Sequence, residues 1–257
     1  MDTARKEIVR KYIVRFLRRE FDSIKDKFPN AIIGISGGVD SALVAGLCVQ
    51  ALSKDRVKGL ILPYSKVATS KTMDVEYAEQ VCKHFGISYE MYHVDSTVNA
   101  ILGLRPILSD NKSDKLREGN AAARARMAIL FDYAAANRGV VVGTTNYTEY
   151  MFGYYTIGGD NIAIIEPIIG LLKTEVFKLA KHIGVPEAVI NRKPSASLWD
   201  GQTDEEELGF TYEELDKYLM NYHLPEVHGL ALNVSWKRHV PFKITRQELM
   251  DNSVLRS

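Results

Sequence analysis

The chain has 257 residues, of which 46% are hydrophobic and 25% are charged, as in an ordinary globular protein. Its 33 lysines and arginines almost balance its 32 aspartates and glutamates, so the formal net charge of +1 indicates neither a nucleic-acid nor a membrane partner. The 2 cysteines are too few for a disulfide framework or a zinc cluster. Because the N-terminus is charged throughout and no apolar run approaches about 20 residues, we expect a cytoplasmic protein.

Apolar side chains recur along the chain in two alternating patterns, one typical of helices and one typical of buried strands. Glycine and proline end most of these segments, as they commonly do. In chain order, the predicted elements are a helix at 3–27, a strand at 31–35, a helix at 41–52, a strand at 57–63, a helix at 69–87, a strand at 88–94, a helix at 120–139, a strand at 140–146, a short strand at 162–168, a helix at 173–185 and a helix at 210–220.

Strands that alternate with helices predict an α/β fold, a doubly wound parallel sheet with helices on both faces. Two polar stretches, 103–119 and 189–209, are predicted to be loops. The four acidic residues at 204–207 are interpreted mainly as a solvated charged face. No internal repeat or linker divides the chain, so we expect a single domain over 1–257 that ends in a polar tail beginning at about residue 221.

The most informative stretch is GISGGVDSAL, residues 34–43, which joins a predicted strand to a predicted helix. In a parallel α/β sheet, ligands bind at the carboxyl ends of the strands, where this stretch lies. Glycines let the backbone approach a ligand closely, and the start of the next helix offers free N–H groups that suit phosphate. The stretch is neither a Walker A loop nor a dinucleotide fingerprint. Its Asp40 would repel phosphate unless a divalent cation lay between them, which predicts Mg²⁺.

The sequence SGGVDS at 36–41 resembles the signature of the ATP pyrophosphatases of the adenine nucleotide alpha-hydrolase group, which cleave ATP between its α- and β-phosphates. Three further stretches, at 119–127, 140–149 and 171–216, are similar to those of the NAD synthetases, in the same order and at compatible spacing. The resemblance covers roughly residues 5–220, and the set of stretches is specific to the NAD synthetase family.

The resemblance implies roles for particular residues. Asp40 and Glu149 would bind Mg²⁺, and Lys173 would neutralise charge as pyrophosphate leaves. Arg124 and Asp160 would contact the acceptor, deamido-NAD, and Asp160 would also help to deprotonate ammonium. The residues implied to hold ATP are Gly34, Ile35, Ser36, Gly37, Gly38, Val39, Asp40, Ser41, Leu62, Thr144, Lys173 and Ser195.

Two parts of the chain depart from the family pattern, both on the acceptor side. Where the family commonly has TKxGDGGxD, this chain has TIGGDNIAI at 156–164, so Ile157 replaces a lysine and Ile164 an aspartate. In place of the family's late His-Lys pair the chain offers Trp236 and Lys237, which we expect to contact the acceptor. Either this chain holds the same dinucleotide with other residues, which we favour, or it amidates a different carboxylate.

The resemblance therefore implies an ammonia-dependent NAD synthetase, a ligase that uses ATP, deamido-NAD and ammonia and forms an acyl adenylate. It also implies a homodimer, whose interface the helices predicted at 3–27 and 120–137 could supply. Two alternatives are an amide synthetase that adenylates another acid and a regulatory module that binds ATP without forming AMP. The carboxylate pair argues against the second alternative, because a module that only binds ATP does not need it.

Overall fold

The computed structural model describes residues 1–65, 70–107, 109, 111–195, 203–220, 224–233 and 237. Within these residues the strands are β1 (Asn30–Gly34), β2 (Val57–Ile61), β3 (Ser88–Met91) and β4 (Gly139–Val141). The α-helices are α1 (Thr3–Ile24), α2 (Val39–Leu52), α3 (Ser70–Phe85), α4 (Asp95–Gly103), α5 (Lys112–Ala136), α6 (Tyr147–Met151), α7 (Lys173–His182), α8 (Glu187–Ile190), α9 (Asp204–Leu208), α10 (Tyr212–Leu219) and α11 (Pro225–Asn233).

The strands form one parallel sheet in the order β3-β2-β1-β4. The register places Ala31 of β1 between Val57 of β2 and Val140 of β4. Because the strands are parallel, their carboxyl ends meet at one edge, and the loops that leave β1, β2 and β4 begin there side by side. This edge is where the glycine-rich loop lies.

Both faces of the sheet are covered by helices, as the sequence predicts. Successive residues of β1 point to opposite faces. Ile33 is fully buried in a core that includes side chains of α1, α2, α3 and α7, whereas Ile32 is fully buried among side chains of α4 and α5. The doubly wound parallel α/β fold is therefore confirmed.

The prediction of a loop over 103–119 is wrong for the second half of that stretch. α4 ends at Gly103, and α5 already begins at Lys112. Asn111 is the N-cap of α5, and its side chain accepts a hydrogen bond from the Asp114 N–H at 2.9 Å. The first turns of α5 are polar because they face solvent, so the apolar periodicity that marks a helix starts only further along.

Three smaller differences concern the rest of the chain. The strand predicted at 162–168 is reduced, within the described residues, to one parallel bridge between Ile165 and Val142. The loop predicted at 189–209 contains α9, and the tail predicted from about 221 contains α11. Helices α10 and α11 contribute Leu215 and Val227 to a small apolar cluster around Phe152, which explains why these late segments are ordered into helices. The single-domain interpretation stays a prediction.

In the part of the chain that the structure describes, no helix combines the length and the hydropathy needed to cross a membrane.

Candidate active site

The loop between β1 and α2 carries the glycine-rich motif at the carboxyl edge of the sheet. Gly37 has a φ of 78°, and Gly38 is the N-cap of α2 with an extended backbone. The Ser41 hydroxyl donates to the Gly38 carbonyl at 3.0 Å and accepts from the Ser36 N–H at 3.2 Å. The serines thus hold the loop in shape. Because no side chain caps α2, its first N–H groups can bind an anion.

We expect Gly37→Ala to disrupt this loop and Gly38→Ala to leave it nearly intact. A Cβ at Gly37 would lie 2.5 Å from the Asp74 carbonyl oxygen and would require a positive φ, whereas a Cβ at Gly38 would lie 3.3 Å from the Ser36 hydroxyl at an ordinary φ. A strain of about 1–3 kcal/mol predicts that Gly37→Ala weakens binding of ATP, the expected ligand, by about fivefold to a hundredfold. Calorimetric titration of both variants measures this, and equal affinities would contradict it.

Three charged side chains from separate elements converge beside the loop. The Nζ of Lys173, the first residue of α7, donates to Asp40 Oδ2 at 2.6 Å and to Glu149 Oε1 at 2.9 Å. Lys173 is only 2% exposed. Asp40 Oδ1 also accepts a hydrogen bond from Asn146 Nδ2 at 3.0 Å. Asp40 therefore meets Glu149 and Lys173, which lie more than a hundred positions later in the sequence, and all three were predicted to act on ATP or its metal.

The two carboxylates and the lysine perturb one another. Burial raises the pKa of Glu149, and the neighbouring Asp40 raises it further against the opposing effect of Lys173. Burial by itself would lower the pKa of Lys173, but Asp40 and Glu149 outweigh burial and raise that pKa. An ion-pair arrangement in which one ammonium group gathers two carboxylate oxygens is also suited to a divalent cation.

The described residues include no group of three or more His, Cys, Asp or Glu side chains arranged to hold a metal ion. A Mg²⁺ held by Asp40 and Glu149 would therefore complete its coordination with phosphate oxygens and water, which is how this ion is commonly bound in nucleotide sites. The donor set fits a metal that arrives together with a nucleotide.

Local structure fixes the position of Glu149. It is the third residue of the short helix α6, whose N-cap is Asn146. The Asn146 side chain accepts from the Glu149 N–H at 2.9 Å, and Glu149 Oε2 accepts from the Asn146 N–H at 3.4 Å, which completes a capping box. The backbone at the start of α6 thus holds Oε2 of the carboxylate, while Oε1 accepts a hydrogen bond from Lys173 Nζ.

A pocket of about 320 Å³ opens beside these residues. Its walls come from the carboxyl ends of β1, β2 and β4, from α3 and α5, and from the segments around 160 and 192–195. Of the residues predicted for ATP, metal and acceptor, those that line it are Gly34, Ile35, Ser36, Gly38, Val39, Asp40, Ser41, Leu62, Thr144, Glu149, Asp160, Lys173 and Ser195. The structure therefore places most of the predicted site around one cavity.

Of the two arginines at 124 and 126 on α5, the one that lines the pocket is Arg126, not Arg124. Arg126 Nε donates to the Leu62 carbonyl at 2.9 Å, and among the described residues it forms no ion pair. Its positive charge is thus free to meet an anion in the pocket. Arg124 is exposed, and its Nε donates to the Ile157 carbonyl at 3.1 Å. Its contact with an acceptor stays a prediction.

Asp160 lines the pocket and lies within 156–164, the segment in which the chain departs from the family pattern. Its Oδ1 accepts from the Thr156 N–H at 2.6 Å. Although the side chain is exposed at the pocket, the protein that surrounds it desolvates the carboxyl and raises its pKa, against the effects of that hydrogen bond, Arg126 and Lys237. Raising the pKa of a carboxylate makes it a better proton acceptor.

Ile157 and Ile164, which replace a lysine and an aspartate of the family pattern, are apolar and open to solvent. Ile157 is 43% exposed and Ile164 is 64% exposed. Lys237 does not line the pocket; its Nζ donates to the Gly153 carbonyl at 2.7 Å. Trp236, the other residue predicted to contact the acceptor, lies outside the described residues.

The interpretation of 204–207 as a solvated acidic face is wrong for its first member. Asp204 is 4% exposed, lines the pocket, and accepts hydrogen bonds from the hydroxyls of Tyr154 at 3.0 Å and Tyr212 at 2.9 Å. Burial raises the pKa of Asp204, opposed chiefly by Lys173. The one indication in the sequence was the similarity of 171–216 to a known family. That similarity includes the acidic residues at 204–207 but does not show which of them is buried.

Comparison with known proteins bears on this site. The family model described as NAD synthase matches residues 9–247. The NH(3)-dependent NAD(+) synthetases of Chlorobaculum tepidum and Methanocaldococcus jannaschii are 42% and 43% identical, over 82% and 84% of this chain and 73% and 81% of theirs.

Two solved structures resemble the whole fold. The NMN synthetase from Francisella tularensis matches with a TM-score of 0.83 and 29% identity, over 93% of this chain and 98% of that chain. The NH3-dependent NAD synthetase from Campylobacter jejuni, in complex with the nitrate ion, matches with a TM-score of 0.73 and 28% identity, over 95% and 100%.

Proposed function

The chain belongs to the NAD synthase family, and from this membership we propose that it amidates deamido-NAD to NAD with ammonia, at the expense of ATP. The observation that carries the proposal is the convergence of the glycine-rich loop with Asp40, Glu149 and Lys173 at one pocket. An oxygen of the nicotinate carboxylate attacks the α-phosphate of ATP, and the bond between the α- and β-phosphates breaks. The products are the acyl adenylate and pyrophosphate.

The glycine-rich loop binds the phosphates in this proposal. The N–H groups at the start of α2 point out of the carboxyl edge of the sheet, and the helix dipole favours negative charge at that end. Asp40 and Glu149 would hold Mg²⁺, which neutralises charge on the phosphate oxygens when it is bound. Lys173 stays within reach of the same position and stabilises the charge that develops on pyrophosphate.

The second half of the reaction needs neutral ammonia. Asp160 accepts one proton from ammonium, a role that its raised pKa and its place at the pocket wall support. Ammonia attacks the carbonyl carbon of the acyl adenylate, the bond from that carbon to the AMP oxygen breaks, and the attacking nitrogen loses a second proton as the amide forms. No side chain acts as a covalent nucleophile. Catalysis comes from positioning and charge stabilisation.

We also propose that the protein forms a homodimer. The solvent face of α1 presents Tyr12 and Ile8, which are 73% and 58% exposed, and such large apolar side chains favour contact with another chain. Light scattering of the purified protein at several concentrations tests the proposal. A monomer throughout the micromolar range would reject it.

The direct test of the function is product formation by the purified protein. ATP, Mg²⁺, deamido-NAD and ammonium are mixed, with glutamine replacing ammonium in a parallel reaction. We expect NAD and AMP to appear one for one with ammonium and neither to appear with glutamine alone. ATP binding without AMP formation would reject deamido-NAD as the acceptor, and other carboxylic acids would then be screened; a regulatory module would form AMP with none of them.

A second acceptor deserves the same assay, namely nicotinate mononucleotide, the acid whose amide is NMN. Two observations favour it. The Francisella protein that matches with a TM-score of 0.83 is an NMN synthetase, and the family's acceptor-side lysine and aspartate are here Ile157 and Ile164, which are exposed. A smaller acceptor would not need polar groups for the second nucleotide. This chain would then be the amide synthetase for another acid.

The two acceptors are separated by their kcat/KM values in one preparation. If the dinucleotide is the substrate, deamido-NAD should be at least tenfold better. If the mononucleotide is the substrate, the order reverses, and the double variant Ile157→Lys with Ile164→Asp should improve deamido-NAD selectively. A double variant that improves neither acceptor would show that these positions do not select the substrate.

A further inference from the structure

Asp216, on α10, is a buried carboxylate for which neither the resemblance nor the reaction supplies a role. It is 1% exposed. Its Oδ1 accepts from the Thr148 hydroxyl at 2.5 Å, and its Oδ2 accepts from the Thr174 N–H at 2.8 Å. Among the described residues it pairs with no cation. Instead, its charge lies against the N-terminus of α7, where the helix dipole stabilises an anion.

The hydrogen bonds of Asp216 lead to both sides of the catalytic centre. The Thr148 hydroxyl, which donates to Asp216, also accepts from the Lys173 N–H at 2.9 Å. Thr148 immediately precedes Glu149 in α6, and Thr174 immediately follows Lys173 in α7. A continuous chain of hydrogen bonds therefore ties α6 to the first turn of α7. The two hydrogen bonds of the Thr148 hydroxyl are buried, and bonds that are shielded from water hold geometry most strongly.

This arrangement suggests what Asp216 does in the proposed reaction, on which the inference rests. We propose that Asp216 is a positioning residue that fixes the start of α7 against α6. Lys173 Nζ and the Glu149 carboxylate are thereby held where both can contact the same metal ion and phosphate group. Asp216 itself touches neither ATP nor Lys173 Nζ; it acts through Thr148 and the backbone of α7. Because reaction rates depend on placement to within about 1 Å, a loosened α7 lowers turnover even though every catalytic side chain is retained.

The test uses two pairs of variants, each made of one variant that disturbs the hydrogen bonds and one control. Thr148→Val removes the hydroxyl at constant shape, whereas Thr148→Ser retains it. Asp216→Asn removes the charge, and Glu213→Gln is the control on the exposed face of α10. We expect kcat to fall about tenfold or more in Thr148→Val and Asp216→Asn, and to stay within about twofold of wild type in Thr148→Ser and Glu213→Gln. If Asp216→Asn does not fold, the Thr148 pair still decides the question.

A second readout separates positioning from simple loss of stability. The dissociation constant of ATP is measured calorimetrically with and without Mg²⁺, and their ratio reports how well Glu149 and Asp40 share a cation with bound phosphate. We expect this ratio to shrink at least threefold in Thr148→Val and Asp216→Asn. Variants that lose thermal stability but keep both kcat and the Mg²⁺ effect would overturn the proposal. Because this measurement needs no acceptor, it gives a result even if the wild-type protein forms no NAD.

Discussion

Lys173→Met should lower turnover about a thousandfold while the KM for ATP changes little. The variant retains most of the side-chain volume but removes the ammonium group that lies 2.6 Å from Asp40 Oδ2 and 2.9 Å from Glu149 Oε1. Removing one preorganised donor from a developing charge costs about 10²–10³ in kcat, and this donor is a full positive charge in a buried position. The loss should fall on kcat, because the interaction strengthens as pyrophosphate leaves.

The same substitution should destabilise the protein in the absence of Mg²⁺. Without Lys173, Asp40 and Glu149 face each other with no counter-ion while 17% and 16% exposed. Removing one partner of a fully buried pair costs about 3–5 kcal/mol, and this partly hydrated site should cost less. ATP with Mg²⁺ should restore part of the stability, since a ligand that binds only the native state shifts the equilibrium towards it.

Steady-state kinetics and thermal unfolding with and without ATP and Mg²⁺ measure the two effects of Lys173→Met. Lys181→Met is the matched control, because Lys181 lies on the exposed face of the same helix. A Lys173→Met enzyme that keeps more than a tenth of the wild-type kcat would show that pyrophosphate departs without help from this residue.

The sequence was informative where backbone geometry and chemistry coincide. SGGVDS predicted a phosphate loop because a positive φ at Gly37, a serine-closed turn and an uncapped helix start all need small or hydroxylated residues there. The alternation of strands and helices likewise predicted the parallel sheet, because each buried strand needs an apolar run that a helix can cover. These features are local, so one chain suffices to recognise them.

Local sequence could not show which of Arg124 and Arg126 faces the pocket. Two residues apart on a helix are separated by about 200° of rotation, so only one of them can face a given pocket. Ala123, Arg126 and Leu130 follow each other at helical spacing and all line the cavity, which puts Arg124 on another face. The sequence alone did not show which face of α5 lines the pocket. One face of this helix packs against apolar side chains of the core, and the adjacent face lines the pocket.

Asp204 and Asp216 escaped prediction for a related reason. Acidic residues in a charged stretch are usually solvated, and their burial depends on partners that come from distant elements. Asp204 is buried because the hydroxyls of Tyr154 and Tyr212 satisfy it, and Asp216 because the start of α7 and Thr148 do. Only the folded chain brings these donors together.

Asp40→Asn should abolish the effect of Mg²⁺ on ATP binding and lower turnover about a thousandfold or more. Asparagine can still accept the hydrogen bond that Asn146 Nδ2 gives to Oδ1 at 3.0 Å, but its NH2 group cannot accept the bond that Lys173 Nζ gives to Oδ2. It cannot supply the negative charge that draws a divalent cation to the site. Without that cation, the charge on the departing pyrophosphate loses the neutralisation that the metal would supply beside Lys173.

The sign of the effect on ATP affinity distinguishes this interpretation from a simple loss of folding. In the absence of Mg²⁺, Asp40→Asn should bind ATP as well as wild type or better, because a carboxylate that repels phosphate has been removed. With Mg²⁺, wild type should gain affinity and the variant should not. Asp55→Asn, at an exposed position just before β2, controls for the loss of one negative charge. If Asp40→Asn kept the wild-type response to Mg²⁺, the metal would have to be held elsewhere, and Lys173 with Asp40 would be an ion pair of structural importance only.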